Sequence, residues 1–207
     1  MRFYDSGFAT ALTAARDAGI APVWFVWLAG RDFDTGEEIE GGIWSGQDDL
    51  TVNVPLPDRS GSQTRTYIGG CGLSVTGISL HADWSDKPVT VSLSQIADGA
   101  QYLMRGVDLR LAPCEIHATS LTGGALVSPP QLEFAGIIDE GGIATPAPAS
   151  EGAITMAVRS ELLTMYSATN PAKSSDAHQK RRAAGDRFCE YAGTVSGRKV
   201  QWYKGDD

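Results

Sequence analysis

The chain has 207 residues, of which 42% are hydrophobic and 20% charged, and its formal net charge is -8. This composition is typical of a globular protein with one domain, or one domain plus an appendage, and the negative charge argues against a nucleic-acid binder held by phosphate contacts and against binding to an anionic membrane surface. The 24 glycines and 10 prolines indicate many turns and short elements, which favours a β-rich fold over a helical bundle.

The sequence predicts neither a membrane segment nor a secretory signal. Its longest strongly apolar stretch, Ile20 to Ala29, has ten residues, whereas a helix that crosses a bilayer needs roughly twenty. The residues before it lack a continuous apolar run and include Asp5 and Arg16, unlike a secretory signal. We therefore expect the protein to fold in a cytoplasm.

A helix and a hairpin are predicted near the N-terminus. Apolar residues recur at spacings of three and four from Gly7 to Ala18, which is typical of an amphipathic helix, and Ser6 is suited to cap it. The β-branched and aromatic run PVWFVWLAG, the acidic turn DFDTGEEIEGG and the segment IWSG predict a strand, a turn with outward-facing charge and a return strand. The polar stretch from Gln47 to Thr64 is interpreted as a loop with a short strand at Leu50 to Val54.

Alternation between apolar and polar residues predicts the remaining strands. Leu73 and Val75 share one face, and Gly77, which breaks the phase, is a candidate β-bulge. The segment Ile96 to Arg105 has apolar residues at helical spacing and is predicted to be a short helix. Because the connections are short, we expect antiparallel pairing. The other predicted strands are Val89 to Ser94, Val107 to Leu111, Cys114 to Leu121, Leu132 to Ile138 and Ile154 to Val158.

The charge distribution divides the chain into a body and an arm. Residues 171–207 contain eight basic and five acidic side chains, a net charge of +3, whereas residues 1–170 contain nine basic and 20 acidic side chains, a net charge of -11. We predict a β-rich body over residues 1–170 and a basic C-terminal arm over residues 171–207, with the boundary at Asn170-Pro171. The segment Thr145 to Gly152 has the composition of a linker or of an ordered loop between two strands.

No motif of an activated nucleophile is found. The pentapeptide G-x-S-x-G of α/β-hydrolases does not occur. Cys71, in GGCGLS, is a candidate nucleophile with His81 or His117 as its base, but the same glycines fit a tight turn that enters a strand. We interpret the chain as a protein that is not an enzyme. Its cysteines are odd in number and far apart, which is typical of buried reduced thiols: Cys71, Cys114 and Cys189.

The sequence also predicts no metal site and no cofactor. His81 and Asp83 lie on one face of a strand and Asp48-Asp49 lie in a loop, but neither pair supplies the four or more clustered ligands that a metal ion requires. The glycines of GGCGLSVTG are followed by a strand pattern, whereas phosphate-binding loops lead into a helix.

The arm carries the most distinctive pattern of the chain. Ser175 or Asp176 can cap a short helix that extends through Arg182, Gly185 can end it in a left-handed conformation, and DRFCEYAG is interpreted as a strand. Such a short polar helix is marginal alone, so we expect it to dock on the acidic body or on a neighbouring subunit. The candidate interface residues are Asp176, Gln179, Arg181, Arg182, Gly185, Asp186, Phe188 and Tyr191.

These residues resemble a C-terminal pattern of tailed-bacteriophage tail-tip proteins. In that pattern S-D-x-x-Q is followed by basic residues, an aromatic-proline pair, G-D and an aromatic residue. Here Ala183-Ala184 stands where the aromatic-proline pair would fall. The segments IWSG, YIGGCGLSVTGISL and VTVSLSQI are also similar to such proteins. The residues that carry the C-terminal likeness are Ser175, Asp176, Gln179, Arg181, Arg182, Gly185, Asp186 and Phe188.

The resemblance implies a structural virion protein of the distal tail or baseplate hub type, at the tip of a long non-contractile tail. It implies a mainly β fold, a tail-tube-like β-barrel or β-sandwich with an N-terminal helix, one or two short helices and the C-terminal arm. Copies would be made in the bacterial host cytoplasm and form a homo-oligomeric ring, a trimer or a hexamer, against the neighbouring tail tube and tail-tip proteins. Some hub relatives hold an iron-sulfur cluster, but three dispersed cysteines do not match its ligand group.

A carbohydrate-binding β-sandwich that recognises host glycans is the alternative hypothesis. Exposed tryptophans would stack on sugar rings in such a module, whereas in an assembly protein most of them would be core or interface residues. The five tryptophans are Trp24, Trp27, Trp44, Trp84 and Trp202.

Overall fold

A computed structural model describes residues 5–57, 60–79, 86–143, 152–161 and 175–197. The chain divides into two compact units, Met1–Met165 and Tyr166–Asp207, called here the N-terminal unit and the C-terminal unit. The boundary predicted at Asn170-Pro171 and all but the last residue of the predicted linker at Thr145 to Gly152 lie outside the described residues.

The N-terminal unit is built on one mixed sheet of eleven strands. The strand order is β3-β4-β2-β1-β8-β10-β11-β6-β5, with β7 paired to β1 and β9 paired to β8. The strands are β1 (Ala21–Asp32), β2 (Glu38–Trp44), β3 (Leu50–Pro55), β4 (Ser62–Ile68), β5 (Ser74–Thr76), β6 (Val89–Ser94), β7 (Val107–Asp108), β8 (Pro113–Thr122), β9 (Ala125–Leu126), β10 (Gln131–Ile143) and β11 (Ala153–Ser160).

The described residues also form three α-helices: α1 (Ser6–Ala18), α2 (Asp98–Gly106) and, in the C-terminal unit, α3 (Asp176–Arg182). None of these helices has the length and apolar character needed to cross a bilayer. The mainly β fold with an N-terminal helix is confirmed. The sheet is open, with β3 and β5 as its two edges, so a closed barrel or a sandwich is not confirmed.

The strand pairing agrees largely with the expected antiparallel arrangement. The exception is β2 with β4, which pair in parallel through Gly42 with Tyr67 and Ile43 with Ile68. A parallel pair arises here because β3 and β4 form a hairpin that brings β4 beside β2 in the direction of β2. The interpretation of residues 47–64 as a loop therefore overlooked the start of β4.

Strand β1 is buried on both faces, which explains its nearly continuous apolar sequence. Trp24, Val26 and Leu28 face a main core that also contains β6, β8, β11 and helix α2. Val23 and Phe25 face a second core on the opposite side. Alternate side chains of a strand point to opposite faces, so an apolar residue at every position lets β1 separate two cores.

The second core is closed by the β3–β4 hairpin. Phe25 stacks on Trp44 with ring centroids 5.5 Å apart, and Tyr67 meets the edge of Phe25 at 5.0 Å. Tyr67 and Val54 are completely buried. The hairpin thus covers a face of β1 and β2 that would otherwise expose the rings of Phe25, Trp27 and Trp44.

Several boundaries differ from the predicted ones for local reasons. Asp5, not Ser6, caps α1, because its carboxylate accepts a hydrogen bond from the Gly7 N–H at 2.8 Å. Gly77 is not a bulge, since β5 ends at Thr76 and Gly77 has a φ of 89°. Helix α2 begins at Asp98 and leaves Ile96 90% exposed outside it.

Candidate functional site

Helix α3 of the C-terminal unit forms as the sequence predicts. The Ser175 hydroxyl accepts a hydrogen bond from the His178 N–H at 3.3 Å, which caps the helix. Asp176 lies in the first turn and its carboxylate accepts a hydrogen bond from the Lys180 ammonium at 2.7 Å, which raises the pKa of Lys180. Arg182 lies in the last turn, where a cation favours the helix dipole.

The basic end of α3 is available for contact. None of the helix residues is buried, and Arg181 and Arg182 are exposed. Gln179 is half-buried, and its backbone carbonyl accepts the N–H of Ala183 at the end of the helix. The helix therefore presents two adjacent, exposed guanidinium groups at its C-terminal end.

Two predictions for the segment after α3 are wrong. The helix ends at Arg182, its C-cap Ala183 is extended, and Gly185 lies in the following turn without a left-handed conformation. The segment DRFCEYAG is not a strand but a series of turns. The Asp186 carboxylate accepts a hydrogen bond from the Phe188 N–H at 2.9 Å, and such local side-chain bonds favour turns over strands.

These turns place three large apolar side chains in solvent. Phe188 is 88% exposed, and Tyr191 and Val195 are each 62% exposed, whereas Cys189 between them is buried. Backbone hydrogen bonds join residues three or four apart in this segment, from Ala192 to Cys189 and from Val195 to Tyr191, and the three apolar residues recur at the same spacings. We call Phe188, Tyr191 and Val195 the apolar row.

The structure thus sorts the predicted interface residues into two groups. Asp176, Gln179, Arg181 and Arg182 belong to the helix, and Phe188 and Tyr191 belong to the apolar row. Gly185 and Asp186 shape the turn that connects them. Val195 was not predicted, although its spacing of four residues from Tyr191 was a readable signal.

No protein-family model matches the chain, and no curated protein matches it.

A buried polar cluster, which the sequence did not predict, lies beside the second core. The Arg65 guanidinium donates a hydrogen bond to the Glu115 carboxylate at 2.5 Å and lies 4.6 Å from the centre of the Trp27 ring. His117 is completely buried, and neither ring nitrogen has a hydrogen-bond partner in the described part of the chain. Its Nε2 lies 3.7 Å from Glu115 Oε2. This cluster ties β4 to β8.

The titration of this cluster is strongly shifted by its burial. Desolvation, together with the nearby Arg65 charge, lowers the pKa of His117 to about 3. Desolvation raises the pKa of Tyr67 to about 12. Both groups are therefore neutral at pH 7, and their burial points to a structural role more than to proton transfer with a solvent-borne substrate.

The candidate nucleophile Cys71 lies in the main core. Its side chain is 1% exposed, its thiol donates a hydrogen bond to the Gly69 carbonyl at 3.5 Å, and burial raises its pKa. His117 is paired with Phe25, on the side of the sheet that faces the second core. The structure thus separates this thiol from His117, and His81 lies outside the described residues.

Of the other candidate sites, the His81 and Asp83 pair lies outside the described residues. Among the described residues, no group of three or more histidines, cysteines and carboxylates is arranged to hold a metal ion. In the acidic turn, the Asp32 carboxylate accepts hydrogen bonds from the N–H groups of Thr35 and Asp34, which lower its pKa. The Asp32 carboxylate thus stabilises the turn through hydrogen bonds to the backbone of the turn.

The described tryptophans are packed inside the N-terminal unit. Trp24 and Trp27 are half-buried against the two cores, and Trp44 is 8% exposed. Trp84 and Trp202 lie outside the described residues. The carbohydrate-binding alternative therefore gains no sugar-stacking surface from the three tryptophans that the structure describes.

Proposed function

We propose that the chain is a structural assembly protein whose C-terminal unit clasps a neighbouring copy, so that copies close into a ring at the distal end of a phage tail and connect the tail tube to the tail tip. The observation that carries this proposal is the apolar row. Two aromatic side chains and a valine stand in solvent on one short segment, where they gain no burial in the single chain.

The chemistry of the C-terminal unit supports a protein interface. Aromatic residues and arginines are the side chains that most often dominate binding energy at interfaces. Here Phe188 and Tyr191 follow within ten residues of Arg181 and Arg182. The basic charge complements the acidic residues 1–170, which suits contact between two copies of the same chain.

A clasp of this kind accounts for a ring. The clasping surface and the surface that receives it are different parts of the chain, so the contact is heterologous. A repeated heterologous contact closes into a ring when its rotation divides a full turn. The copy number, three or six, follows from that angle.

The proposal is tested by removing the clasp in two ways. Deleting residues 171–207 should leave a folded N-terminal unit that assembles weakly, as measured by light scattering and native mass spectrometry. The double substitution Phe188→Ala with Tyr191→Ala should weaken assembly roughly 1000-fold, because the two aromatic anchors at about 2 kcal/mol each together contribute about 4 kcal/mol.

Ile96→Ala is the matched control, since Ile96 is as exposed as Phe188 but lies in the N-terminal unit. It should leave assembly unchanged. If the deletion and the double variant both assemble as the wild type does, the clasp does not exist.

A further inference from the structure

Two apolar clefts lie side by side on the surface of the N-terminal unit. One has a volume of about 130 Å³ and lies between α2 and strands β1 and β2, lined by Leu28, Ile39, Tyr102 and others. The second has a volume of about 170 Å³ and is lined by Phe33, Ile138 and others. We call them the α2 cleft and the β10 cleft. Val107 and Leu109 line both clefts, so the two are adjacent.

The rims of these clefts expose further apolar side chains. Phe33 and Tyr102 are each 58% exposed, one at each cleft. Leu111 is 66% exposed, and its N–H donates to the carbonyl of Ile138, a residue that lines the β10 cleft. Together the clefts and their rims form an apolar patch that has no partner within the described part of the chain, the kind of surface that marks a protein contact.

The backbone of Leu111, at the rim of the β10 cleft, has a disfavoured conformation. Its φ is 57°, and it is the only described residue other than glycine with a positive φ. Leucine is disfavoured in this left-handed region, where glycine is tolerated freely. A strained backbone that holds an apolar side chain in solvent points to a function for that side chain.

Carboxylates outnumber basic groups around the clefts: the β10 cleft is lined by Asp108 and Asp139 as well as by Arg110, which is paired with Asp108. The β1–β2 turn supplies Phe33 to the β10 cleft, and the start of β2 supplies Ile39 to the α2 cleft. Residues 32–40, which span this turn and the strand ends beside it, contain five carboxylates and no basic residue: Asp32, Asp34, Glu37, Glu38 and Glu40. The surface is therefore suited to a partner that combines apolar side chains with positive charge.

The C-terminal unit of another copy has this combination. An apolar cavity of about 150 Å³ holds one benzene-sized ring, and the two clefts, with about 170 and 130 Å³, are close to this size. The apolar row offers two rings, Phe188 and Tyr191, and the basic residues nearby are Lys180, Arg181, Arg182 and Arg187. Two rings and a basic flank thus match two clefts and an acidic rim.

We propose that the α2 and β10 clefts of one copy receive the apolar row of the next copy, with the acidic β1–β2 turn facing the basic end of α3. This inference rests on the proposed function, because it names the surface that the clasp binds. It identifies the partner as a second copy of this chain.

Full-chain variants test the receiving surface directly. Gly41 lines the α2 cleft, and a Cβ atom added there meets no atom within 4 Å, so Gly41→Leu should extend into the cleft without disturbing the backbone. Gly142 is equally open and lies in β10 outside both clefts. Gly142→Leu is therefore the matched control. We expect Gly41→Leu to raise the dissociation constant of assembly roughly 10- to 100-fold and Gly142→Leu to leave it unchanged, in sedimentation velocity over a range of concentrations.

Leu111→Gly supplies a second variant that does not depend on filling a cleft. It removes an exposed side chain and relieves the positive φ, so its urea midpoint should equal or exceed that of the wild type while assembly weakens. A substitution that only damaged the fold would lower both.

Combining Gly41→Leu with the Phe188→Ala and Tyr191→Ala pair tests whether the two surfaces meet. If they form one contact, the combined variant should assemble no more weakly than the weaker of the two parents. Additive losses would overturn the pairing. If the Phe188 and Tyr191 pair weakens assembly but Gly41→Leu and Leu111→Gly do not, the receiving surface is wrong and the clasp stands. If the full chain does not assemble at all, both proposals fail.

Discussion

The buried His117 makes the stability of the N-terminal unit depend on pH in a defined window. Its pKa is about 3 in the folded protein, against a reference value of 6.5 for an unperturbed histidine. Between these two values the unfolded chain binds a proton at His117 that the folded chain does not. Acidification through this window therefore favours unfolding, and above pH 6.5 the group contributes no pH dependence.

The size of the effect follows from the width of that window. Each pH unit below 6.5 costs about 1.4 kcal/mol of unfolding free energy while the folded state remains unprotonated at this site. Between pH 7 and pH 4.5 the loss from His117 is therefore about 3 kcal/mol. This loss is a substantial part of the 5 to 15 kcal/mol that is typical of a domain.

Urea unfolding followed by tryptophan fluorescence measures this loss, because Trp24, Trp27 and Trp44 are packed in the two cores. His117→Leu keeps the volume about the same and removes the titrating group, so its loss between pH 7 and pH 4.5 should be smaller than that of the wild type by about 3 kcal/mol. His178→Gln, which removes a histidine outside the N-terminal unit, is the control variant. Equal losses in the wild type and in His117→Leu would refute the reasoning.

Two further predictions concern the second core. Gly42→Ala should destabilise the fold by about 2 kcal/mol, because its Cβ would lie 2.5 Å from a Tyr67 ring carbon, whereas Gly41→Ala has open space and should change stability by less than about 0.5 kcal/mol. Equal urea midpoints for the two variants would contradict the packing described. Glu115→Gln should cost about 3 kcal/mol, because it leaves the Arg65 charge buried and unpaired, and adding Arg65→Met to it should recover most of that loss in the same assay.

The local parts of the fold were predictable from the sequence because their causes lie close together in the chain. The spacing of apolar residues predicted α1, and the apolar run of β1 with its return segment predicted the first hairpin. The Ser175 cap of α3 also depends on neighbours only three residues away. In each case the residues that decide the structure lie within the element itself.

The parts that were not predictable depend on distant residues. The sequence of strand β4 is mostly polar, so it does not predict a buried strand. The burial of its Arg65 depends on Glu115, 50 positions later. The open sheet follows from the order in which strands pair, which no local pattern encodes. In the candidate site, the charges of α3 could be predicted from the sequence. The exposure of Phe188 and Tyr191 could not, because it follows from turns where a strand was predicted.

Because β1 lies between the two cores, the unfolding of one core is coupled to the unfolding of the other. Its backbone amides are bonded to β2 on one side and β8 on the other, and its side chains fill both interiors. If either core unfolded, half of the apolar surface of β1 would be exposed to water while the other half stayed packed. The N-terminal unit should thus melt as a single cooperative block around β1, with the slowest hydrogen exchange in this strand.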